Sequence, residues 1–506
     1  MKRSISLPLL ALAVAASTAF AQTAAPPVSL EQLQQRLSDH LSEPRFAAAM
    51  WGVKILSLDS GKIVFEHNPQ KLFSPASNSK LYTIALALDR LGADGRIKTS
   101  LYSQSKPRPD GTLAGDLIVY GRGDPTITAR LHSNDIYRAL QPLVTALTNA
   151  GVTRIEGDLV GDGRFLQGPP YGSGWAWDDA ESYYGAELSA LTINDNTLQV
   201  SIKPGDRIGA PCMLTLIPAT DYLTFSNRTE TVEKGVRRGI QFYRPLNENV
   251  VYATGRIGTD DSGTTNDLTV HNPAGLFVTL FRQALTRHGV SVRGKARTLN
   301  WPDRPEDSSN RVELASIESP PMRELAREVM KPSQNLYTDL LLGYVGEKNR
   351  APDTSPDLTS EDLGIQELNR FLGEAGVHRG DVLFEEGSGL SRNNLTTPNA
   401  TVALLRFMAK HAAAEAFLES LPVAGVDGTL RNRMKNSAAA RNVKAKTGTL
   451  RWANSLSGHV TSAAGEHFVF SIMLNRYRDT DPNRSARAEL DAIAILLAGF
   501  NGRTAP

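Results

Sequence analysis

Ser74-Pro75-Ala76-Ser77-Asn78-Ser79-Lys80-Leu81-Tyr82-Thr83-Ile84-Ala85-Leu86-Ala87-Leu88 places a serine and a lysine three positions apart at the mouth of a helix. Leu81, Ile84, Ala85, Leu88 and Leu91 recur with helical spacing as an apolar stripe, and Gly92 marks the stop. Residues three apart on a helix share a face, so Lys80 stands beside Ser77. A serine hydroxyl is a poor nucleophile until a neighbouring base takes its proton. A lysine does this only when neutral, and burial or nearby positive charge lowers its pKa toward that state.

Ser77-x-x-Lys80 is a short pattern, and such patterns arise by chance ~once or twice in a chain of ordinary composition. Ser103-x-x-Lys106, Ser308-x-Asn310 and Ser391-x-Asn393 are also present. Context separates them. Lys106 runs into Pro107-Arg108-Pro109, which cannot continue a helix. Two further elements have the context that acyl-transfer chemistry requires. Ser333-x-Asn335 lies at the break between helical patterns at Pro320–Met330 and Asn335–Tyr344, and Lys446-Thr447-Gly448-Thr449 opens a strand. Lys446 and the positive end of the Ser77 helix both favour a neutral Lys80. Ser333 is placed to relay a proton to a leaving amine, and Asn335 to hold a substrate amide. Lys446 with Thr447 or Thr449 suits a terminal carboxylate, and Gly448 permits close approach of a ligand to the backbone. The backbone N–H groups of Ser77 and Thr449 are natural oxyanion donors. Singly, each motif also has an ordinary reading: Ser77 as a cap, Lys80 as a solvated charge, Ser333-x-Asn335 as an interhelix cap, Lys446 as an edge-strand gatekeeper. All three occurring in this order, each on its required element, favours the catalytic reading.

Outward from these motifs, Met50 to Asn68 reads as a hairpin turning at Asp59-Ser60-Gly61-Lys62, after a helix at Leu30–Leu41. A second hairpin, Ala453–Thr461 with His467–Leu474, lies near the other end, followed by a helix at Ala486–Leu497. Two such hairpins can share one antiparallel sheet flanked by helices, an α+β plan. From about Arg96 to Arg311 the texture is β-rich, with short runs between Gly, Pro and Asp and one clear helix at Pro273 to His288.

The first residues read as an export signal: Lys2 and Arg3, an apolar run from Leu7 to Ala16, and Ala19-Phe20-Ala21 at the cleavage positions. The apolar run is too short for a permanent span. The mature chain then carries 53 basic and 53 acidic residues. That balance gives no footprint for nucleic acid, which needs clustered basic charge. Cys212 is the only cysteine, so an intramolecular disulfide is excluded, and its apolar surroundings place it in a core. The nine histidines show no zinc-hydrolase spacing. With about 485 residues left, the chain should divide into two or three domains.

The combination of S-x-x-K, S-x-N and K-T-G resembles that of β-lactamases and penicillin-binding proteins. Ser77 and Ser333 are 256 positions apart, too far for a compact β-lactamase. The spacing is similar to that of the class C low-molecular-mass penicillin-binding proteins, the D-alanyl-D-alanine carboxypeptidase/endopeptidase family of serine peptidases, S13, which carries a large insertion there. Gly174-Trp175-Ala176-Trp177-Asp178-Asp179, Gly387-Ser388-Gly389-Leu390-Ser391-Arg392 and Leu421-Pro422-Val423-Ala424-Gly425-Val426-Asp427-Gly428 also resemble stretches of that family. The resemblance implies a transpeptidase/β-lactamase-like domain from residues 22–95 and 312–506, after a signal peptide at 1–21. A β-rich insertion of two subdomains at 96–311 would separate the two parts.

It implies a Ser77 acyl-enzyme that hydrolyses D-alanyl-D-alanine ends or cross-links of peptidoglycan stem peptides in the periplasm or cell-wall space. No cofactor or metal, and no transmembrane anchor after signal cleavage, is expected. Ser77, Lys80, Ser333, Asn335 and Lys446 would be catalytic, with Thr447, Gly448 and Thr449 on the substrate. Asp179, Leu390, Arg392 and Leu450 would form a pocket for the free end of the stem-peptide diamino acid. β-Lactam antibiotics would be covalent inhibitors. A β-lactamase or esterase of the same fold, or a non-catalytic peptidoglycan-binding protein, remains as an alternative. Apart from the resemblance, Trp175 and Trp177 read as packing residues and Asp179 as a turn or cap residue.

Overall fold

The computed structural model describes residues 26–303, 311–478, 481 and 484–505. The expected signal peptide and Ser308-x-Asn310 lie outside the described residues. Strands Met50–Ser57 (β1), Ile63–His67 (β2), Lys444–Leu450 (β3), Ala453–Thr461 (β4) and His467–Asn475 (β5) form one antiparallel sheet ordered β3-β4-β5-β1-β2. β1 and β5 pair from Met50 opposite Asn475 to Ser57 opposite Phe468. The two hairpins therefore meet side by side, and the fold is α+β.

The helices of this part, in chain order, are α1 Leu30–Leu41, α2 Ser79–Leu91, α3 Met322–Met330, α4 Asn335–Lys348, α5 Ser360–Glu374, α6 Pro398–Met408, α7 Ala414–Ser420 and α8 Ala486–Ala498. Trp51, Val53 and Ile55 of β1 alternate onto one sheet face with Phe468, Phe470, Ile472 and Leu474 of β5. Leu33 and Leu37 of α1 and Leu490, Ile493 and Leu497 of α8 cover that face. The other face is covered by α6 and by the helical core around α2. With both faces covered, β5 is buried at every position from Phe468 to Asn475.

The apolar stripe expected on α2 understates its burial. Every residue from Ser79 to Leu88 is buried, because α3, α4 and α5 pack around it. A helix enclosed on all sides has no solvent face to be polar. Tyr82, Thr83, Leu86 and Ala87, off the stripe, are the sequence correlates.

Between the first two motifs the chain builds a second five-stranded sheet, ordered Ala296–Leu299, Leu159–Asp162, Leu117–Tyr120, Lys98–Ser103, Val312–Glu318. Three three-stranded sheets lie in the same segment, one of Thr264–Thr269, Thr197–Lys203 and Met213–Ile217, one of Thr224–Val232, Val250–Gly258 and Gly239–Tyr243, and a small one of Ser291–Val292, Arg154–Ile155 and Thr112–Leu113. Helices Ile136–Asn149 and Pro273–Arg287 share their apolar core, in which Cys212 is buried. Only the second of these helices was evident in the sequence. Ile136–Asn149 carries Pro142 in its interior, an argument against a helix, yet Asp135 caps its start by accepting from Tyr137 N and Arg138 N.

The inserted layer begins and ends at one place. Ile97 N donates to Ser319 Oγ and Ser319 N to Ile97 O, both at 2.9 Å. Val312–Glu318, expected to open the second part of the first domain, instead pairs antiparallel with Lys98–Ser103 inside the inserted sheet. Among the described residues no helix is long and apolar enough to cross a membrane.

Candidate active site

Ala76–Asn78 is a single 3-10 turn running into α2, and Ala76 before the serine has φ +48°, a left-handed conformation that costs a non-glycine residue about 1–3 kcal/mol. Surrounding contacts hold this elbow. Asn78 Nδ2 donates to Ser455 Oγ at 2.6 Å and to Lys446 O at 3.2 Å, and Ser455 Oγ donates to Pro75 O at 2.6 Å. Turn and β3 are thereby pinned to each other. Gly448 sits at the closest approach: a Cβ there would lie 2.3 Å from Pro75 O and 2.2 Å from Ser455 Oγ. Its missing side chain makes room for the elbow of the chain itself, where the sequence suggested room for a ligand. Gly389, at φ +81°, presses the same elbow from the other side, with its ideal Cβ 2.0 Å from Ala76 O.

Lys80 is fully buried one turn beyond Ser77. Its Nζ donates to Ser77 Oγ at 3.0 Å, Asn335 Oδ1 at 2.6 Å and Ser388 O at 2.6 Å. Three N–H donors meet three acceptors, none of them a carboxylate. Burial pulls its pKa down to about 8, with the charges of Asp339 and Glu386 acting in the opposite direction.

Ser333 occupies the break before α4 at φ +68°, and its Oγ accepts from Lys446 Nζ at 2.7 Å. Lys446 is also fully buried and donates to Thr447 O at 2.7 Å. Burial first, then the charge of Lys80, holds its pKa well below the usual lysine value. Thr447 Oγ1 donates to Thr429 Oγ1 at 2.8 Å. Thr449 is exposed, and Leu450, half-buried, ends β3 opposite Ala453. Asn335 is more engaged than expected: Oδ1 accepts from Lys80, and Nδ2 donates to Tyr184 O at 2.9 Å. The other N–H of that amide is not used by these two contacts.

Tyr184 belongs to the inserted segment, which thus reaches the second motif. On the same arm, Asp179 Oδ2 accepts from Ala176 N at 3.0 Å and so closes the turn Trp177–Glu181, the cap role also open to it. Burial raises its pKa, with the Ala176 N–H pulling it back, Asp178 pushing it up and the nearby Arg392 charge pulling it down. Gly174 packs against Ser391 and Glu385, and Trp175 Nε1 donates to Glu386 at 3.4 Å. The stretches around Asp179 and Arg392, about 200 positions apart in the chain, thus lie together. Leu390 is buried and its N donates to Ser388 Oγ at 3.3 Å, and Arg392 is exposed.

The competing short patterns fall elsewhere. Ser103 is buried in an inserted strand and donates to Asp116 O, and Ser391 and Asn393 both bind Glu385 in a loop. Sequence reasoning missed Asn78, Ser455, Thr429, Asp339 and Glu386. Asp339 had a signal, an acid within the apolar run of α4, where every residue from Asn335 to Gly346 is buried.

The sequence model of the D-Ala-D-Ala carboxypeptidase 3 (S13) family matches residues 33–496. A D-alanyl-D-alanine carboxypeptidase of Actinomadura sp. (strain R39) is 32% identical, the match covering 99% of this chain and 91% of that protein. The crystal structure of penicillin binding protein 4 from Haemophilus influenzae is similar at a TM-score of 0.76 and 25% identity, covering 92% of this chain and 98% of that one. The same protein complexed with a β-lactam is similar at a TM-score of 0.70 and 24% identity, with the same coverage.

Proposed function

The chain belongs to the D-Ala-D-Ala carboxypeptidase 3 (S13) family, and on that premise we propose that Ser77 is the residue through which it cleaves its substrate. The protein is a serine-type D-Ala-D-Ala carboxypeptidase, a hydrolase of peptidoglycan peptides. The observation that carries the assignment is the 3.0 Å contact between Ser77 Oγ and a buried Lys80 whose pKa is about 8. A lysine so tuned is partly neutral near neutral pH and accepts the serine proton.

In this reading Ser77 Oγ attacks the carbonyl of the penultimate D-Ala as its proton passes to Lys80 Nζ. The oxyanion that forms is met by the backbone N–H groups of Ser77 and Thr449. A C-terminal carboxylate beside Lys446, Thr447 and Thr449 offsets the cost of keeping Lys446 charged. As the tetrahedral centre collapses, the C–N bond breaks and the proton taken up by Lys80 reaches the leaving amine of D-Ala by way of Ser333, which is bonded to Lys446 and regains a proton as it gives its own. Water then hydrolyses the Ser77 ester. Asn335 orients Lys80 and offers its remaining N–H to the substrate. Asp179, Leu390, Arg392 and Leu450 receive the free end of the stem-peptide diamino acid. Penicillins acylate Ser77 by the same route, as the β-lactam complex of the Haemophilus influenzae protein supports. The N-terminal stretch supports export to the periplasm or cell-wall space.

Mass spectrometry after incubation with benzylpenicillin tests the reading. One adduct is expected, on the peptide containing Ser77, together with release of D-Ala from pentapeptide muropeptides. Ser77→Ala should lose both, whereas Ser103→Ala should keep both. An adduct on another serine in the Ser77→Ala protein would overturn the assignment.

A further inference from the structure

Behind Lys80 lie two buried acids that the reaction as described does not use. Glu386 is fully buried and Asp339 nearly so. Neither touches Lys80, but each backs one of its acceptors. Glu386 Oε2 accepts from Ser388 N and Ser388 Oγ, and Ser388 presents its carbonyl to Lys80. Glu386 Oε1 accepts from Gly389 N at 2.7 Å and Asn394 Nδ2 at 2.7 Å. Asp339 stands one helical turn beyond Asn335, the second acceptor, and its Oδ1 accepts from Gly387 N at 2.9 Å. Its Oδ2 is buried with no hydrogen-bond partner among the described residues.

The donor sets differ in kind. Four protein donors and the Trp175 N–H converge on Glu386, an arrangement suited to an acceptor-only carboxylate. Asp339 has one close donor, Gly387 N, with the Ser388 hydroxyl drawing its pKa down only as the weakest influence and Oδ2 left without a partner among the described residues, where a full charge would be costly. Burial, then the charges of Glu386 and Glu361, pushes its carboxyl well above the usual range, against the pull of Lys80. The other charged groups facing this cluster are Lys446 on β3, Glu361 on α5 and the exposed Glu385 in the same loop.

We propose that Asp339 and Glu386 hold one proton between them and together place a single negative charge behind Lys80, positioning and tuning it as the base. Two like charges in one buried site do not both ionise readily, so one charge opposes one lysine. Removing either acid lets the other carry that charge, whereas removing both leaves Lys80 with none. The inference rests on the reading of Lys80 as the base. Lys80→Ala tests that reading separately, with an expected loss of ~10²–10⁴ in acylation rate.

The test is the pH dependence of penicillin acylation. The rate should rise with pH as Lys80 loses its proton, through a limb near its pKa of about 8. An anion raises a lysine pKa, so its loss moves the limb to lower pH. Asp339→Asn and Glu386→Gln should each leave the limb near its wild-type position, and the double variant should move it down by about one pH unit. A single variant that moves the limb as far as the double, or a double variant that leaves it in place, would overturn the pair.

Infrared spectroscopy offers a readout independent of acylation. It is done in a Glu361→Gln background, because Glu361 itself is pushed up to about 7. Near neutral pH the parent should show a protonated-carboxyl band that vanishes in Asp339→Asn and in Glu386→Gln alike. No band in the parent, or its survival in either variant, would equally overturn the inference.

Discussion

Asp179 spends one carboxylate oxygen on closing its own turn, so its value to a substrate depends on what charge remains available at the cleft. Its surroundings are neither fully wet nor fully dry, since burial raises its pKa while the Arg392 charge lowers it. A peptide bearing a free ammonium on its diamino acid should therefore be hydrolysed faster than its acetylated form. An exposed ion pair contributes at most ~1 kcal/mol, or about fivefold, so a larger preference marks a partly desolvated pocket. Asp179→Asn should erase most of the preference without preventing penicillin acylation, because Ser77 and Lys80 are untouched. The raised pKa sets the sign with pH: the preference is present while Asp179 is ionised and fades on acidification earlier than for an ordinary aspartate. Rates on free and acetylated peptides decide it, and equal preference in both proteins would make Asp179 solely a turn residue.

The 3-10 turn and β3 act as one element at the scale of secondary structure, because Asn78, Ser455 and the bare backbone of Gly448 hold them in contact. Gly448→Ala should push the Ser77 elbow off the strand, since neither Pro75 O nor the hydrogen-bonded Ser455 can withdraw freely. Displacing a nucleophile by about 1 Å costs on the order of 10² in rate. Labelling with a fluorescent penicillin should slow accordingly while the circular dichroism spectrum stays native. Wild-type labelling would show that the elbow is held by other means. The helix of Ser77 and both hairpins were legible in the sequence, because periods of 3.6 and 2 are local properties of the chain. Ile136–Asn149 was not, and Pro142 in its interior is a local argument against a helix.

The inserted layer and the catalytic part are tied across the whole molecule by polar contacts to a buried tyrosine next to the second motif. Tyr337 OH, fully buried on α4, donates to Asp195 Oδ1 at 2.7 Å and accepts from Arg130 Nη2 at 3.0 Å. Tyr337→Phe removes a shared partner of two insert side chains and should destabilise the protein by about 1–3 kcal/mol, read as a lower thermal midpoint. An unchanged midpoint would mean that the insert is held without this contact. By itself the sequence determined the order of Ser77-x-x-Lys80, Ser333-x-Asn335 and Lys446-Thr447-Gly448, the elements that carry them and the size of the segment between the first two. Those follow from residue type and local spacing. Only the tertiary structure decided that Val312–Glu318 joins the inserted sheet, that Tyr184 reaches Asn335, and that Asp339 and Glu386 stand behind Lys80. These bring together residues from about 150 to more than 300 positions apart. They are set by which buried polar group finds a partner when the layers close, and no local period records that choice.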